Sequence, residues 1–221
     1  MDIARRTTLG VLALVAVSLA GLLPVASAAP PTPGFDDAPV DLYGAYPTYT
    51  CNASDPHRPG VERFRRMVLS AFPETRSGDA WARCDSPLHM STSNHHGGRA
   101  WDWFIAAEGS RATASERAAP DELVEWLLET VDGEPHMRAR RLGIVEIIWF
   151  DQLWQSTPGY QYLRPYPLQG CPDPAASNTG CHRDHVHFGF SAAGASCNTT
   201  WCKGWWGWWL STLGRTMDLV A

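Results

Sequence analysis

The sequence predicts an α+β domain stabilised by disulfide bonds. Some apolar segments repeat with the period of a helix, others have the alternation or β-branched composition of short strands, and the two kinds do not alternate regularly. Six cysteines in a chain that carries an export signal are typical of disulfides. The net charge of -5 and the single lysine, Lys203, give no basic surface, which excludes nucleic acid as a partner.

Residues 1–28 have the three-part pattern of a secretory signal peptide. Two arginines are followed by an apolar run from residue 9 to residue 25 and by the small residues Ala26-Ser27-Ala28. Pro24 and the shortness of the run argue against a membrane span of roughly 20 residues. We therefore expect a secreted, extracellular protein with no stable membrane anchor after signal cleavage. The general export route is favoured, and the arginine pair leaves the twin-arginine route open.

The rest of the chain divides into a proline-rich linker, residues 29–50, and one folded domain, residues 51–221. This length is sufficient for a single domain with its own core. We expect the protein to be a monomer.

Three helices are predicted from apolar periodicity and from the glycines and prolines at their ends. The first begins after Pro59-Gly60. The second opens at Pro120 and ends at Gly133. The third is a short arginine-rich helix over residues 136–142, closed by Gly143.

Strands are predicted over residues 100–105, 144–150 and 185–190. A stretch rich in proline and glycine over residues 156–180 predicts a long surface loop, and such loops are usually functional or tied down. The sequence does not choose among the possible pairings of six cysteines. We expect the disulfides Cys51–Cys84, Cys171–Cys181 and Cys197–Cys202, of which the last two close short local loops.

Histidines are concentrated in two motifs. One is Ser93-Asn94-His95-His96-Gly97-Gly98-Arg99-Ala100-Trp101-Asp102, and the other is His182-Arg183-Asp184-His185-Val186-His187. The glycines of the first motif allow a tight turn that folds His95 back beside Asp102, on the strand face opposite the tryptophans. In the second motif a strand places His185 and His187 on one face, about 6.5–7 Å apart along the chain. One of them as a metal ligand and the other as a nearby acid or base is the easier arrangement.

This set of donors fits a catalytic zinc site. Such a site takes three ligands from the protein and keeps water in the fourth position. Two imidazoles and one carboxylate leave a net positive charge that acidifies this water. The sequence contains no Cys-x-x-Cys pair, which disfavours zinc held by thiolates.

The run Ser93-x-His95-x-x-Gly98-x-Ala100-x-Asp102, with His185-x-His187 downstream, resembles the zinc D-alanyl-D-alanine carboxypeptidase family. That family belongs to a superfamily that also contains lysostaphin-type enzymes and the hedgehog signalling domain. Through Gly98-Arg99-Ala100-Trp101-Asp102-Trp103 and Asp184-His185-Val186-His187, the chain is similar to the secreted actinobacterial branch. The resemblance covers residues 51–206 and implies a small antiparallel sheet flanked by helices.

The resemblance implies that His95, Asp102 and His187 bind Zn²⁺ and that His185 handles the proton during hydrolysis. Many relatives use a glutamate as the base, so His185 does that work here. His96 is the alternative to His95 if the turn is shifted by one residue.

The resemblance assigns two further residues to the site. His182 matches a histidine that lines it, and Arg83 matches an arginine that holds the substrate carbonyl or carboxylate, with Arg76 as the alternative. Glu146 lies inside an apolar strand and is expected to be a paired or edge-exposed carboxylate without a catalytic role.

The expected function is therefore hydrolysis of amide bonds in peptidoglycan stem or cross-bridge peptides by a secreted, cell-wall-associated zinc peptidase. The alternative is a non-catalytic wall-binding module whose zinc is structural or vestigial. The sequence does not distinguish a carboxypeptidase from an endopeptidase. Five tryptophans between Trp201 and Trp209 are expected to pack over the core, with stacking on glycan rings as the other interpretation.

Overall fold

The structure is a computed structural model, and it describes residues 40–46, 58–78 and 93–203 of the chain. Its strands form one sheet in which every neighbouring pair is antiparallel. The predicted α+β fold, with an antiparallel sheet flanked by helices, is confirmed. In chain order the elements are α1 (Pro59–Ala71), β1 (Arg76–Ser77), a 3-10 turn (Asn94–Gly97), β2 (Ala100–Phe104), α2 (Ala114–Leu128), α3 (Met137–Leu142), β3 (Ile144–Trp149), β4 (Gln152–Gln155), β5 (Arg164–Pro165), β6 (His185–Phe190) and α4 (Ala192–Ala195). The strands lie across the sheet in the order β1-β2-β6-β3-β4-β5.

One face of the sheet is apolar and packs against helices. Trp101 of β2 lies directly opposite Phe188 of β6, so both rings are on the same side. The ring of Phe64 in α1 packs against these two rings and that of Phe190, with centroids 5.0–6.0 Å apart. All four side chains are fully buried. This face is the main core of the domain.

The other face carries the polar residues of both histidine motifs. Asp102 lies directly opposite His187 in the pairing of β2 with β6. Glu146 lies opposite Gly189 in the pairing of β3 with β6. Because cross-strand partners share a face, these residues converge on the side of the sheet away from the core.

Helix α2 begins before Pro120, which the sequence pattern places at its start. Thr113 and Glu116 form a capping box, in which the Glu116 carboxylate accepts a hydrogen bond of 2.8 Å from the Thr113 N–H. Pro120 therefore lies inside the helix. The helix also ends before Gly133, which occupies a turn with a φ of 82°. Both predicted boundaries were wrong, whereas α1, α3, β2, β3 and β6 lie where the sequence predicts them.

Residues 40–46, within the predicted linker, lie against the folded domain, and we call them the N-terminal strap. Ser156 Oγ donates a hydrogen bond of 2.8 Å to the carbonyl oxygen of Gly44. A Cβ added at Gly44 would lie 2.5 Å from the Cβ of Ser191. The strap therefore passes too close to the domain for a larger residue at that position.

Two of the predicted disulfides, Cys171–Cys181 and Cys197–Cys202, are present. The predicted Cys51–Cys84 pair lies outside the described residues, as do the predicted signal peptide and the tryptophans after Lys203. Within the described part of the chain, no helix has the length and apolar character needed to cross a membrane.

Candidate metal centre

The first histidine motif turns back on itself before β2 begins. Ser93 Oγ accepts a hydrogen bond of 3.4 Å from the backbone N–H of His95, which starts the 3-10 turn. Gly98 ends the turn in the left-handed conformation, with a φ of 62°, which glycine adopts without strain. The chain then enters β2, and His95 faces Asp102 across this reversal.

Three donor atoms form a close triangle. His95 Nε2 lies 3.2 Å from Asp102 Oδ1 and 3.1 Å from His187 Nδ1. His187 Nδ1 lies 3.0 Å from Asp102 Oδ1. Both histidines are buried and the aspartate is partly buried. The structure thus brings together the three residues predicted to bind zinc.

This triangle fits a tetrahedral metal ion. Zinc–ligand bonds of about 2.0–2.1 Å place the ligand atoms of a tetrahedral site about 3.3 Å apart. The observed separations of 3.0, 3.1 and 3.2 Å are close to that value. Imidazole nitrogen and carboxylate oxygen are also the donor types of catalytic zinc sites. The residues present are therefore suited to holding a zinc ion.

Burial and mutual contact set the charges of these side chains. Burial lowers the pKa of His95, and Asp102 offsets only part of that effect, so this imidazole is neutral at neutral pH. Burial raises the pKa of Asp102, but the neighbouring histidines outweigh it and hold the pKa well below its usual range. Burial also opposes a proton on His187, yet its hydrogen bond to Asp102 and the nearby Glu146 carboxylate raise its pKa to about 9. A metal ion therefore has to replace a proton on His187.

His185 lies beside the triangle, with one ring nitrogen held by a carboxylate. Its Nδ1 is 2.6 Å from Asp184 Oδ1, and its Nε2 is 3.9 Å from Asp102 Oδ1. Burial raises the pKa of Asp184, but hydrogen bonds from His185, Thr179 and the Gly109 N–H more than offset this and lower it. An ionised carboxylate only accepts hydrogen bonds. His185 therefore carries a proton on Nδ1, and its Nε2 is turned toward the triangle.

His182 packs against both histidines of β6. Its ring centroid is 4.7 Å from that of His185 and 5.8 Å from that of His187, and the Tyr166 ring meets it edge-on at 5.2 Å. Its φ of 53° is left-handed, which is uncommon for a residue other than glycine. Burial lowers the pKa of His182 well below its usual value, so the imidazole is neutral. Its Nδ1 has no hydrogen-bond partner among the described residues.

Arg183 anchors the long loop that borders the site. Its side chain is fully buried, and its guanidinium lies 2.8–3.0 Å from the carboxylate oxygens of Asp151. It also donates to the backbone carbonyls of three loop residues, Pro172, Asp173 and Ala176. Together with the Cys171–Cys181 disulfide, these bonds fix the loop that carries Tyr166 to the site.

Glu146 lies behind His187. His187 Nε2 is 3.6 Å from Glu146 Oε1. Three further side chains donate to this carboxylate: Gln155 at 2.7 Å, Tyr46 at 3.1 Å and Asn94 at 3.4 Å. The expectation that Glu146 is a paired carboxylate is confirmed.

The predicted arginine is not within the described structure, because Arg83 lies outside the described residues. The alternative, Arg76, is exposed on β1 opposite Phe104, whose ring stacks on that of His185 at a centroid distance of 5.0 Å. Arg76 therefore lies at the edge of the site-bearing face. His96 is buried, but it is His95 whose Nε2 reaches Asp102.

A second group with potential metal ligands, Asp151, Cys171 and Cys181, is of another kind. Its two sulfurs form a disulfide, and its carboxylate is paired with Arg183. It offers no thiolate, so it is not a competing metal centre.

Sequence reasoning missed two carboxylates of the site, Asp184 and Glu146. Asp184 immediately precedes His185, and an acidic neighbour of a candidate acid–base histidine was a usable signal. Glu146 is the single charge in an apolar strand, and it was noticed but not connected to His187.

The fold and the triangle define an α+β protein with a candidate His-Asp-His metal centre. The chain belongs to the family described as VldE, C-terminal domain, which it matches over residues 53–178. The matched range contains His95 and Asp102 and ends before the second histidine motif. No curated protein and no solved structure matches the chain significantly.

Proposed function

We propose that this protein is a secreted, cell-wall-associated zinc peptidase that hydrolyses amide bonds in the peptides of peptidoglycan. The observation that carries the proposal is the triangle of donor atoms from His95, Asp102 and His187, with His185 beside it. The resemblance of the two histidine motifs to zinc D-alanyl-D-alanine carboxypeptidases supports the substrate class. The pattern of residues 1–28 supports secretion.

A zinc ion in the triangle would acidify a bound water and polarise the peptide carbonyl. His185 accepts the water proton at Nε2 and returns it to the leaving amine, which suits an imidazole near neutral pH. Asp184 keeps the other nitrogen protonated and fixes the ring. The neutral His182 lines the site beside His185 and His187. Arg83, or Arg76 in its place, binds the substrate carbonyl or carboxylate.

The alternative is a wall-binding module with structural or vestigial zinc, and its structural form requires a closed metal site. Structural zinc sites have four protein ligands. Among the described residues the triangle has three donors, and the adjacent His185 is paired with Asp184. This arrangement favours a catalytic site with one open position.

Hydrolysis is tested with the purified mature chain, beginning at residue 29, incubated with zinc and muropeptides. Mass spectrometry should detect loss of a terminal residue or a cut cross-link, a chelator should abolish it, and added zinc should restore it. Asp102→Ala should lose both zinc and activity. Trp103→Phe, on the opposite face of the same strand, should keep both, with about one zinc per chain.

The possible failures of this test have different meanings. A chain that holds zinc but cuts no muropeptide would support the wall-binding alternative. A wild-type chain that takes up no zinc, measured by elemental analysis, would refute the metal centre itself.

A further inference from the structure

We infer that Glu146 positions His187 for metal binding, and that the N-terminal strap is part of the metal centre because its Tyr46 holds Glu146. This inference rests on the proposed function and deepens it. It also gives a role to a segment that the sequence pattern assigns to a linker.

The first step concerns the two ends of the His187 ring. Nδ1 belongs to the triangle, whereas Nε2 lies 3.6 Å from Glu146 Oε1 on the opposite side of the ring. A carboxylate only accepts, so it favours the tautomer that carries its proton on Nε2 and leaves the Nδ1 lone pair for the metal. Metal-binding histidines commonly donate their second N–H to a carboxylate, which fixes both tautomer and ring orientation.

The second step is that Glu146 is itself held by three separate elements. Gln155 of β4 donates to Oε2 at 2.7 Å. Asn94 of the 3-10 turn and Tyr46 of the strap both donate to Oε1, at 3.4 and 3.1 Å. Asn94 precedes His95 in sequence, so one carboxylate connects the neighbourhoods of both histidine ligands. The carboxylate is therefore fixed in place before any metal arrives.

The third step concerns Gly189, where the absence of a side chain leaves room for Asn94 and Glu146 to meet. A Cβ added at Gly189 would lie 2.3 Å from Asn94 Nδ2 and 3.2 Å from the Cβ of Glu146. Gly189 lies opposite Glu146 in the sheet. Only a residue without a side chain lets Asn94 reach across β6 to this carboxylate.

The last step concerns how the strap holds Tyr46 beside Glu146. The strap is fixed two residues earlier by the bond from Ser156 to the Gly44 carbonyl. It is fixed again by Tyr43, whose hydroxyl lies 2.8 Å from His136 Nδ1. Tyr43 and Tyr46 are thus two strap tyrosines with different partners, and only Tyr46 contacts Glu146.

That difference supplies a matched pair of variants. Zinc affinity of the mature chain is measured by competition with a chromophoric chelator for the wild type, Glu146→Gln, Tyr46→Phe and Tyr43→Phe. We expect Glu146→Gln to weaken zinc binding about 10- to 100-fold, the usual effect of losing such a partner. Tyr46→Phe should weaken it by a smaller factor in the same direction. Tyr43→Phe removes a strap hydroxyl that pairs with His136 instead of Glu146, so this variant should bind zinc like the wild type.

The cobalt-substituted protein gives a second readout. Its visible absorption bands should shift in Glu146→Gln and Tyr46→Phe and stay unchanged in Tyr43→Phe, because the bands report the ligand geometry. If Glu146→Gln does not fold, Tyr46→Phe alone still tests the inference, since it removes one hydroxyl.

The inference is overturned if Glu146→Gln and Tyr46→Phe bind zinc as tightly as the wild type, whatever the wild type does to muropeptides. Equal losses in Tyr46→Phe and Tyr43→Phe would overturn it too, since they would indicate a general loosening of the strap. A wild type that binds no zinc refutes it together with the metal centre. If affinity falls as expected but no muropeptide is cut, the inference stands and only the peptidase proposal fails.

Discussion

Strand β6 carries two histidines, two residues apart on one face, that have different neighbours. His187 contributes Nδ1 to the triangle and turns Nε2 toward Glu146. His185 is held at Nδ1 by Asp184, and its Nε2 approaches Asp102 only to 3.9 Å. The two histidines therefore lie in different environments. That of His187 is suited to binding a metal, and that of His185 is suited to moving a proton.

Alanine at each position should separate these roles. His187→Ala removes a ligand, so zinc content and hydrolysis should both fall. His185→Ala removes the proton carrier alone, so zinc should remain while kcat falls by roughly 10²–10⁴-fold, the usual contribution of general acid–base catalysis. Elemental analysis and muropeptide kinetics on the two variants check this. Loss of metal from His185→Ala, with retention by His187→Ala, would mean that the two roles are exchanged.

The three residues of the triangle could be predicted from sequence because their motifs resemble those of a known zinc-peptidase family, and local geometry agrees with part of that assignment. A glycine-ended turn returns His95 to Asp102, and strand alternation separates His187 from the apolar core. The supporting residues depend on contacts between distant segments. Tyr46 meets Glu146 across a separation of 100 residues, and no local pattern records that contact.

Helices and strands differ in the same way in how far the local sequence predicts them. The capping box at Thr113 and Glu116 is a readable start signal for α2, but the predicted start rested on Pro120 alone. The edge strands β1 and β5 have two residues each, which is too short for any periodicity to appear. They exist because longer neighbouring strands offer hydrogen bonds at the edges of the sheet.

Asp184 connects three elements beside the site. Its Oδ2 accepts hydrogen bonds from the Gly109 N–H at 2.7 Å and from Thr179 Oγ1 at 2.5 Å, while Oδ1 pairs with His185 of β6. The turn after β2 and the end of the long loop are thereby attached to the strand. The side chain is fully buried, so these bonds are shielded from water.

Replacing this carboxylate should affect stability in a pH-dependent way. The folded-state pKa of Asp184 is lowered, so the carboxylate stabilises the fold above its unfolded pKa and loses this effect as pH falls through the folded value. We expect Asp184→Asn to lower the free energy of unfolding by about 1–3 kcal/mol at pH 7. The difference from the wild type should shrink below about pH 4. Urea unfolding at both pH values, in the presence of a chelator, measures it.

Asp173→Asn is the control for this experiment, because Asp173 is an exposed carboxylate in the same loop. It should leave the unfolding free energy nearly unchanged at both pH values. A deficit in Asp184→Asn that stays constant with pH would show that the charge of Asp184 is not its cause.

At the scale of the whole molecule, the candidate metal centre and the main core occupy opposite faces of one sheet. The core cluster includes Trp101, Trp103 and Trp154, all fully buried, and two disulfides constrain chain segments outside the triangle. The fold therefore does not depend on the metal for its apolar packing.

Chelation should accordingly abolish hydrolysis but leave a folded protein. Near-UV circular dichroism should persist, and unfolding should remain cooperative at a lower temperature. The stability lost is limited to the binding contribution, about 2.7 kcal/mol when free zinc is 100 times its Kd. A chelated protein without a near-UV signal would mean that the metal is needed for the fold.

The register between β2 and β6 determines which of their side chains lie on each face of the sheet. Trp101 opposite Phe188 and Asp102 opposite His187 are successive pairs of the same ladder. A slip of one residue would turn His187 into the apolar core and Phe188 into the site, because side chains alternate with a period of two. An insertion or deletion of one residue within either strand would therefore exchange the two faces beyond that point. The connections between strands can change in length without this effect.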